Sequence, residues 1–193
     1  MEELIAEGVF DAVIDIVPAA VAEEMLGGNR AAGPTRLEAA GKRGIPQIVT
    51  PCGFGMISCG RMDRADRGDP LWVSRDLKKR KLFVPDAFRV QARTTAEELK
   101  EVAKEVARKL NMAKGPVIFL NPKKGWSSLD KEGMPLWDPE ADRAFMEEFR
   151  KLLDPNIQVV DLDLNLDTRE FAEKVVELFL ALKGASESSV SDT

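Results

Sequence analysis

Residues 27–40, Gly27-Gly28-Asn29-Arg30-Ala31-Ala32-Gly33-Pro34-Thr35-Arg36-Leu37-Glu38-Ala39-Ala40, gather glycines, two arginines and a proline suited to a first helical turn. Free N–H groups at a helix start, the positive end of its dipole and a guanidinium can together hold a phosphate or carboxylate. The anion-binding candidates of this corner are Gly27, Gly28, Arg30, Gly33 and Arg36. The same residues also suit a loop that uses glycine for its backbone angles and Pro34 to open a helix. Spacing alone leaves both readings open.

Two further segments carry chemistry. Lys123-Lys124-Gly125-Trp126-Ser127-Ser128 forms a second anion-friendly loop beside Asp130, with Lys124, Gly125 and Ser127 as candidates, although the Gly-x4-Gly-Lys-Ser/Thr frame of a phosphate-binding P-loop is absent. A solvated turn explains that loop equally well. Arg93 and Thr94 close an apolar run, where a guanidinium can point into a cleft, while Thr95 and Glu98 have the spacing of a capping box. Asp161, Asp163 and Asp167 lack an EF-hand frame and read as a sheet-edge pattern, so no metal site is expected.

The chain has no histidine, which removes the usual general base and the commonest metal ligand. Catalysis would fall to carboxylates, lysines or thiols. The weak candidates are Glu38 or Asp130 as base and Cys52 as nucleophile, the last needing a helix N-terminus or a cation to become a thiolate. Cys52 and Cys59 stand seven apart, which fits neither a CxxC pair nor a metal knuckle and suits buried thiols.

These residues need a scaffold. A chain of 193 residues with 44% hydrophobic and 32% charged residues suits one soluble domain with a substantial core, and a net charge of −5 argues against nucleic acid as partner. The basic run Arg75-Asp76-Leu77-Lys78-Lys79-Arg80-Lys81 reads as a solvated loop. The chain shows no apolar run of the ~20 residues that cross a membrane and no signal peptide, so a cytoplasmic protein is expected.

Apolar runs alternate with amphipathic stretches, the pattern of βαβ units. Strands are predicted at 10–17, 46–50, 88–92, 117–120 and 157–162, and helices at 2–8, 19–26, 34–43, 96–110, 138–153 and 168–183. The segment 52–81 shows no periodicity, and the Ser-rich residues 185–193 should be a disordered tail. The fold class is therefore α/β, a three-layer Rossmann-like (doubly wound) arrangement with a mostly parallel sheet of about five strands over residues 1–184. Ligands in such sheets collect beyond the carboxyl ends of the strands.

The corner, read through Gly44-Ile45-Pro46-Gln47, together with Arg93-Thr94-Thr95, Lys124-Gly125-Trp126-Ser127-Ser128-Leu129-Asp130 and Trp137-Asp138-Pro139-Glu140-Ala141-Asp142, is similar to the C-terminal half of the Tm-1-like family, UPF0261. These motifs occur in order across residues 3–184. The resemblance implies a longer two-domain α/β protein with nucleotide binding in an N-terminal half absent here, through which ATP and Mg²⁺ would enter. It also implies that half, or a companion subunit, as partner, an anionic small molecule as ligand at the interface, and homo-oligomers. The alternatives are an enzyme acting on an anionic substrate by hydrolysis or carbon–carbon chemistry, and a regulatory subunit of a split protein.

Overall fold

The computed structural model describes residues 1–191, with side chains through 184. The expected tail at 185–193 falls on those side chains and on residues 192–193, outside the described residues; the last helix is bounded at Ser191.

The helices in chain order are α1 (Glu2–Ala6), α2 (Ala20–Leu26), α3 (Ala39–Arg43), α4 (Asp63–Asp66), α5 (Pro70–Ser74), α6 (Ala96–Asn111), α7 (Pro139–Leu152) and α8 (Arg169–Ser191), with a 3-10 turn at Leu77–Lys79. The strands are β1 (Val13–Asp15), β2 (Gln47–Val49), β3 (Met56–Gly60), β4 (Leu82–Asp86), β5 (Arg89–Arg93), β6 (Val117–Pro122) and β7 (Gln158–Leu162).

Four strands form a parallel sheet in the order β1-β2-β6-β7. The chain is α/β, consistent with a Rossmann-like fold. The fifth expected strand belongs elsewhere: β5 lies between β3 and β4 in a separate antiparallel sheet. Both of its partners come from or border the segment that shows no pattern in the sequence, because a five-residue strand such as Met56–Gly60, buried at four positions, carries no alternation to read.

Side chains of the parallel strands alternate between two cores, as the period of two requires. Val49, Val117 and Phe119 meet α2, α6 and α7, whereas Ile48, Ile118 and Leu120 meet α8 through Phe171 and Val175. At the centre of the first core Phe145 of α7 lies 5.5 Å from Phe54, 5.5 Å from Phe149 and 5.4 Å from Trp126, ring centre to ring centre. α7 is oriented by Pro139 in its first turn and by Asp138, whose carboxylate accepts from the Ala141 N–H.

The Thr95–Glu98 capping box is present at the start of α6. Glu98 also takes Arg75 at 2.8 Å and Arg80 at 2.6 Å, so two cations of the supposed solvated run are interior staples holding the small sheet against α6. Truncating Phe145 to Ala opens a cavity at the layer junction. We expect Phe145→Ala to cost about 3–5 kcal/mol, read as a lowered denaturation midpoint at unchanged slope.

Candidate functional site

The glycine–arginine corner is largely taken up by the protein itself: Arg36 and the Gly33 N–H receive its own carboxylates, Gly27 and Gly28 bond a helix carbonyl, and the Arg30 guanidinium has no ion-pair partner among the described residues. Glu23 of α2, 1% exposed, accepts from the Ser58 N–H and folds under Gly28, where a Cβ would overlap its carboxylate. Burial pushes the Glu23 carboxyl up, opposed by the Ser58 hydrogen bonds and by Arg30. The Gly33 N–H donates to Glu24 at 3.0 Å, and Gly27 ends α2.

The helix predicted from Pro34 begins at Ala39, since Leu37 takes a φ of 75° that no α-helix continues. Glu2 of α1 occupies the resulting start of α3, accepting from Arg36 Nη1 at 3.0 Å, the Leu37 N–H at 3.0 Å and the Ala39 N–H at 2.9 Å. The other face of Arg36 holds Asp15 at the end of β1, at 2.5 Å.

Glu38 sits among Lys109 at 2.8 Å, Lys42 at 2.7 Å and Arg108 at 3.4 Å. Its hydrogen bonds from Lys109 and Lys42 lower the carboxyl to about 2, a carboxylate too weakly basic to take a proton at neutral pH.

Arg93 ends β5 with 3% exposure. It donates to the carbonyl of Gly55 at 3.0 Å, to the carbonyl of Asp138 at 3.1 Å and to Asp142 Oδ1, and it stands 3.5 Å from Asp130 Oδ2. Gly55 admits this guanidinium because a Cβ there would occupy the place of Nη1. Thr94 donates its hydroxyl to the Phe54 carbonyl at 3.0 Å and serves the same junction. Arg93 is thus a clamp joining the small sheet, α7 and the loop after β6.

Asp130 and Asp142 face each other across that clamp. Burial raises both carboxyls against the pull of Arg93, Asp142 to about 8 with the Asp130 charge adding to its rise. The Cys52 thiol, 8% exposed, is pushed up to about 11 by burial and by the Asp130 charge, so it stays a thiol and is no nucleophile at neutral pH.

The loop after β6 spends its amides internally. The N–H groups of Lys123, Lys124 and Gly125 donate to Leu162, Leu164 and Pro122 carbonyls, and Trp126 N–H faces Asp130. Ser127 accepts from Leu129 and Asp130, while Asn165 threads its amide into the carbonyls of Lys124, Gly125 and Ser127. The amides of Lys123, Lys124 and Gly125 are thus engaged within the protein, and the side chains of Lys123, Lys124 and Ser128 face outward.

Arg36, Arg93 and Lys124 therefore do not share one crevice. Arg36 borders a cavity of about 110 Å³, Lys124 one of about 440 Å³, and Arg93 lies behind Asp142, which walls a cleft of about 410 Å³. The last lies at the carboxyl ends of β6 and β7. Asn121, Lys123, Trp126, Asp142, Arg143 and Arg150 are among its lining residues, and Lys123 also borders the Lys124 cavity. Asp161, Asp163 and Asp167 each face their own cation: Arg150, Lys124 and Lys131. Asn121, Asp142, Arg143, Glu147 and Arg150 are cleft residues that local pattern leaves unassigned. The legible signal is a carboxylate at 142 on the apolar face marked by Ala141, Phe145, Met146 and Phe149.

Residues 1–183 match the family described as "Uncharacterised protein family (UPF0261) C-terminal domain". The chain belongs to that family. The domain is 35% identical over 173 residues to a UPF0261 protein of Clostridium tetani and 32% identical over 180 residues to one of Brucella melitensis, covering 89% and 92% of this chain. It is also 31% identical over 188 residues to ToMV resistance protein Tm-1(GCR237) of Solanum lycopersicum, covering 96% of this chain and 24% of that protein. The UPF0261 domain spans 41% of each of the two bacterial relatives. Among the described residues, no helix is long and apolar enough to cross a membrane.

The depressed carboxyl of Glu38 gives a pH test. Its contribution is fully present above its ordinary value of 4.5 and is lost as pH falls through about 2. Glu38→Gln should cost about 2 kcal/mol near neutrality, and its denaturation curve should converge with that of the parent as pH drops through that window.

Proposed function

We propose that the UPF0261 domain holds an anionic small molecule in the cleft at the carboxyl ends of β6 and β7. Lys123 and Arg143 anchor it. The carrying observation is that Lys123 and Arg143 line this cleft without an ion-pair partner among the described residues, while Arg36 of the glycine–arginine corner is held between Glu2 and Asp15. Side-chain cations of this kind bind compact oxyanions without loop amides.

In this reading nucleotide chemistry, with ATP and Mg²⁺, belongs to an N-terminal half, since the first amides of the loop after β6, those of Lys123 to Gly125, are already engaged within the protein. The greater length of the relatives supports such a partner. Its contact, or that of a second copy, lies along β1, which pairs with β2 alone and has Phe10, Ile14 and Val17 exposed at and beside it. The domain is read as cytoplasmic, and as acting on or sensing its ligand as part of a larger protein.

Titration calorimetry with sulfate tests the site. Binding should be measurable in the parent and weaken about tenfold or more in Lys123→Ala and Arg143→Ala, each removing one charge-assisted contact. Unchanged binding in both, or none in the parent, would reject the cleft as the anion site.

A further inference from the structure

We propose that Asp130 and Asp142 hold one proton between them under the Arg93 clamp, and that Asp142 presents this proton to a basic oxygen of the oxyanion-bearing molecule in the cleft. The proposal rests on the cleft being the anion site and adds an acid to it.

Geometry carries it. Asp130 is 1% exposed, and its Oδ1 is buried without a hydrogen-bond partner among the described residues. A bare carboxylate oxygen in that setting is costly, and a carboxylic acid O–H from Asp142 is the donor that satisfies it. Arg93 supplies one positive charge to the two carboxyls, which suits one negative charge and one proton. Asp142 belongs at once to this buried pair and to the cleft wall, whereas Asp130 and Arg93 do not reach the cleft. Asp142 is thus the catalytic candidate, and the other two are positioning residues.

The groups that set its titration are Arg93 of β5, Asp130 and Lys123 of the loop after β6, Cys52 after β2, Asp161 of β7, and Arg143, Glu147 and Arg150 of α7 itself. Three cations and three carboxylates line the cleft. With its proton Asp142 is neutral and the cleft carries a positive excess, which favours an oxyanion. When the O–H bond of Asp142 breaks, its proton forms a bond to the ligand oxygen. The electron pair stays on Asp142, where Arg93 holds the carboxylate. Water at the cleft mouth returns a proton to reset the pair. No oxidant or reductant is consumed.

Two measurements on the intact chain decide the matter. Infrared difference spectroscopy should show the carbonyl band of a protonated carboxylic acid persisting at neutral pH, lost in Asp142→Asn and retained in Asp161→Asn. Sulfate, which does not itself titrate in this range, should bind about threefold or more weakly as pH rises from about 6 to 9 in the parent, the effect of one added charge nearby. The same titration should be flat in Asp142→Asn, where the amide can replace the O–H donor to Asp130 and keep the fold. A missing infrared band overturns the shared proton, whatever sulfate does. Sulfate binding with no pH dependence beyond that of Asp142→Asn overturns the role of Asp142 while leaving the cleft as the anion site. Absence of sulfate binding removes the cleft reading and with it the ligand-directed role.

Discussion

One buried guanidinium ties the two sheets of this domain together. Arg93 ends the central strand of the small antiparallel sheet, and its donors reach Gly55, the Asp138 carbonyl, Asp142 and Asp130. A buried charge of this kind is tolerable only when it is paired, because desolvation costs several kcal/mol per ion, and the two Nη groups carry that pairing while Nε is buried without a partner among the described residues. The first turn of α7 and the loop after β6 are therefore fixed relative to each other through one side chain. The geometry of the cleft above them follows.

The same principle explains why the most conspicuous motif is not the open site. Free amides and arginines draw carboxylates, and here Glu2 takes Arg36 and the amides of Leu37 and Ala39 at the start of α3, Glu24 takes the Gly33 amide, and Glu23 takes that of Ser58 in β3. The corner becomes a joint that fastens α1, α2 and β1 to the start of α3. In the cleft above β6 and β7, Lys123 and Arg143 lack such internal partners among the described residues, which is why the proposed anion site is placed there.

What was legible in the sequence follows from the range of the interactions. The capping box of α6, the proline start of α7 and the apolar faces of both helices are written within a few residues and appear as read. The partners of the corner are not local: Glu2 lies 34 to 37 positions from the groups it bonds, and Glu23 is 35 from Ser58. A local pattern shows a receptor and cannot show its occupant. β3 was invisible because five mostly buried residues have no period, and with it went the small sheet that redirects β5. Asp142 stands in the sequence merely as a position within the helix 138–153, yet its place on the apolar face of α7 marks it as the residue that borders both the buried clamp and the cleft.

The division between filled receptors and an open cleft is the central claim. A crystal structure of the domain grown in selenate, with anomalous difference maps to locate the anion, tests it most directly. The account predicts an anomalous peak between Lys123 and Arg143, with Glu2 still seated on Arg36 and the amides of Leu37 and Ala39. A selenate that displaces Glu2 or Glu23 from the glycine–arginine corner, leaving the cleft above β6 and β7 empty, would contradict it.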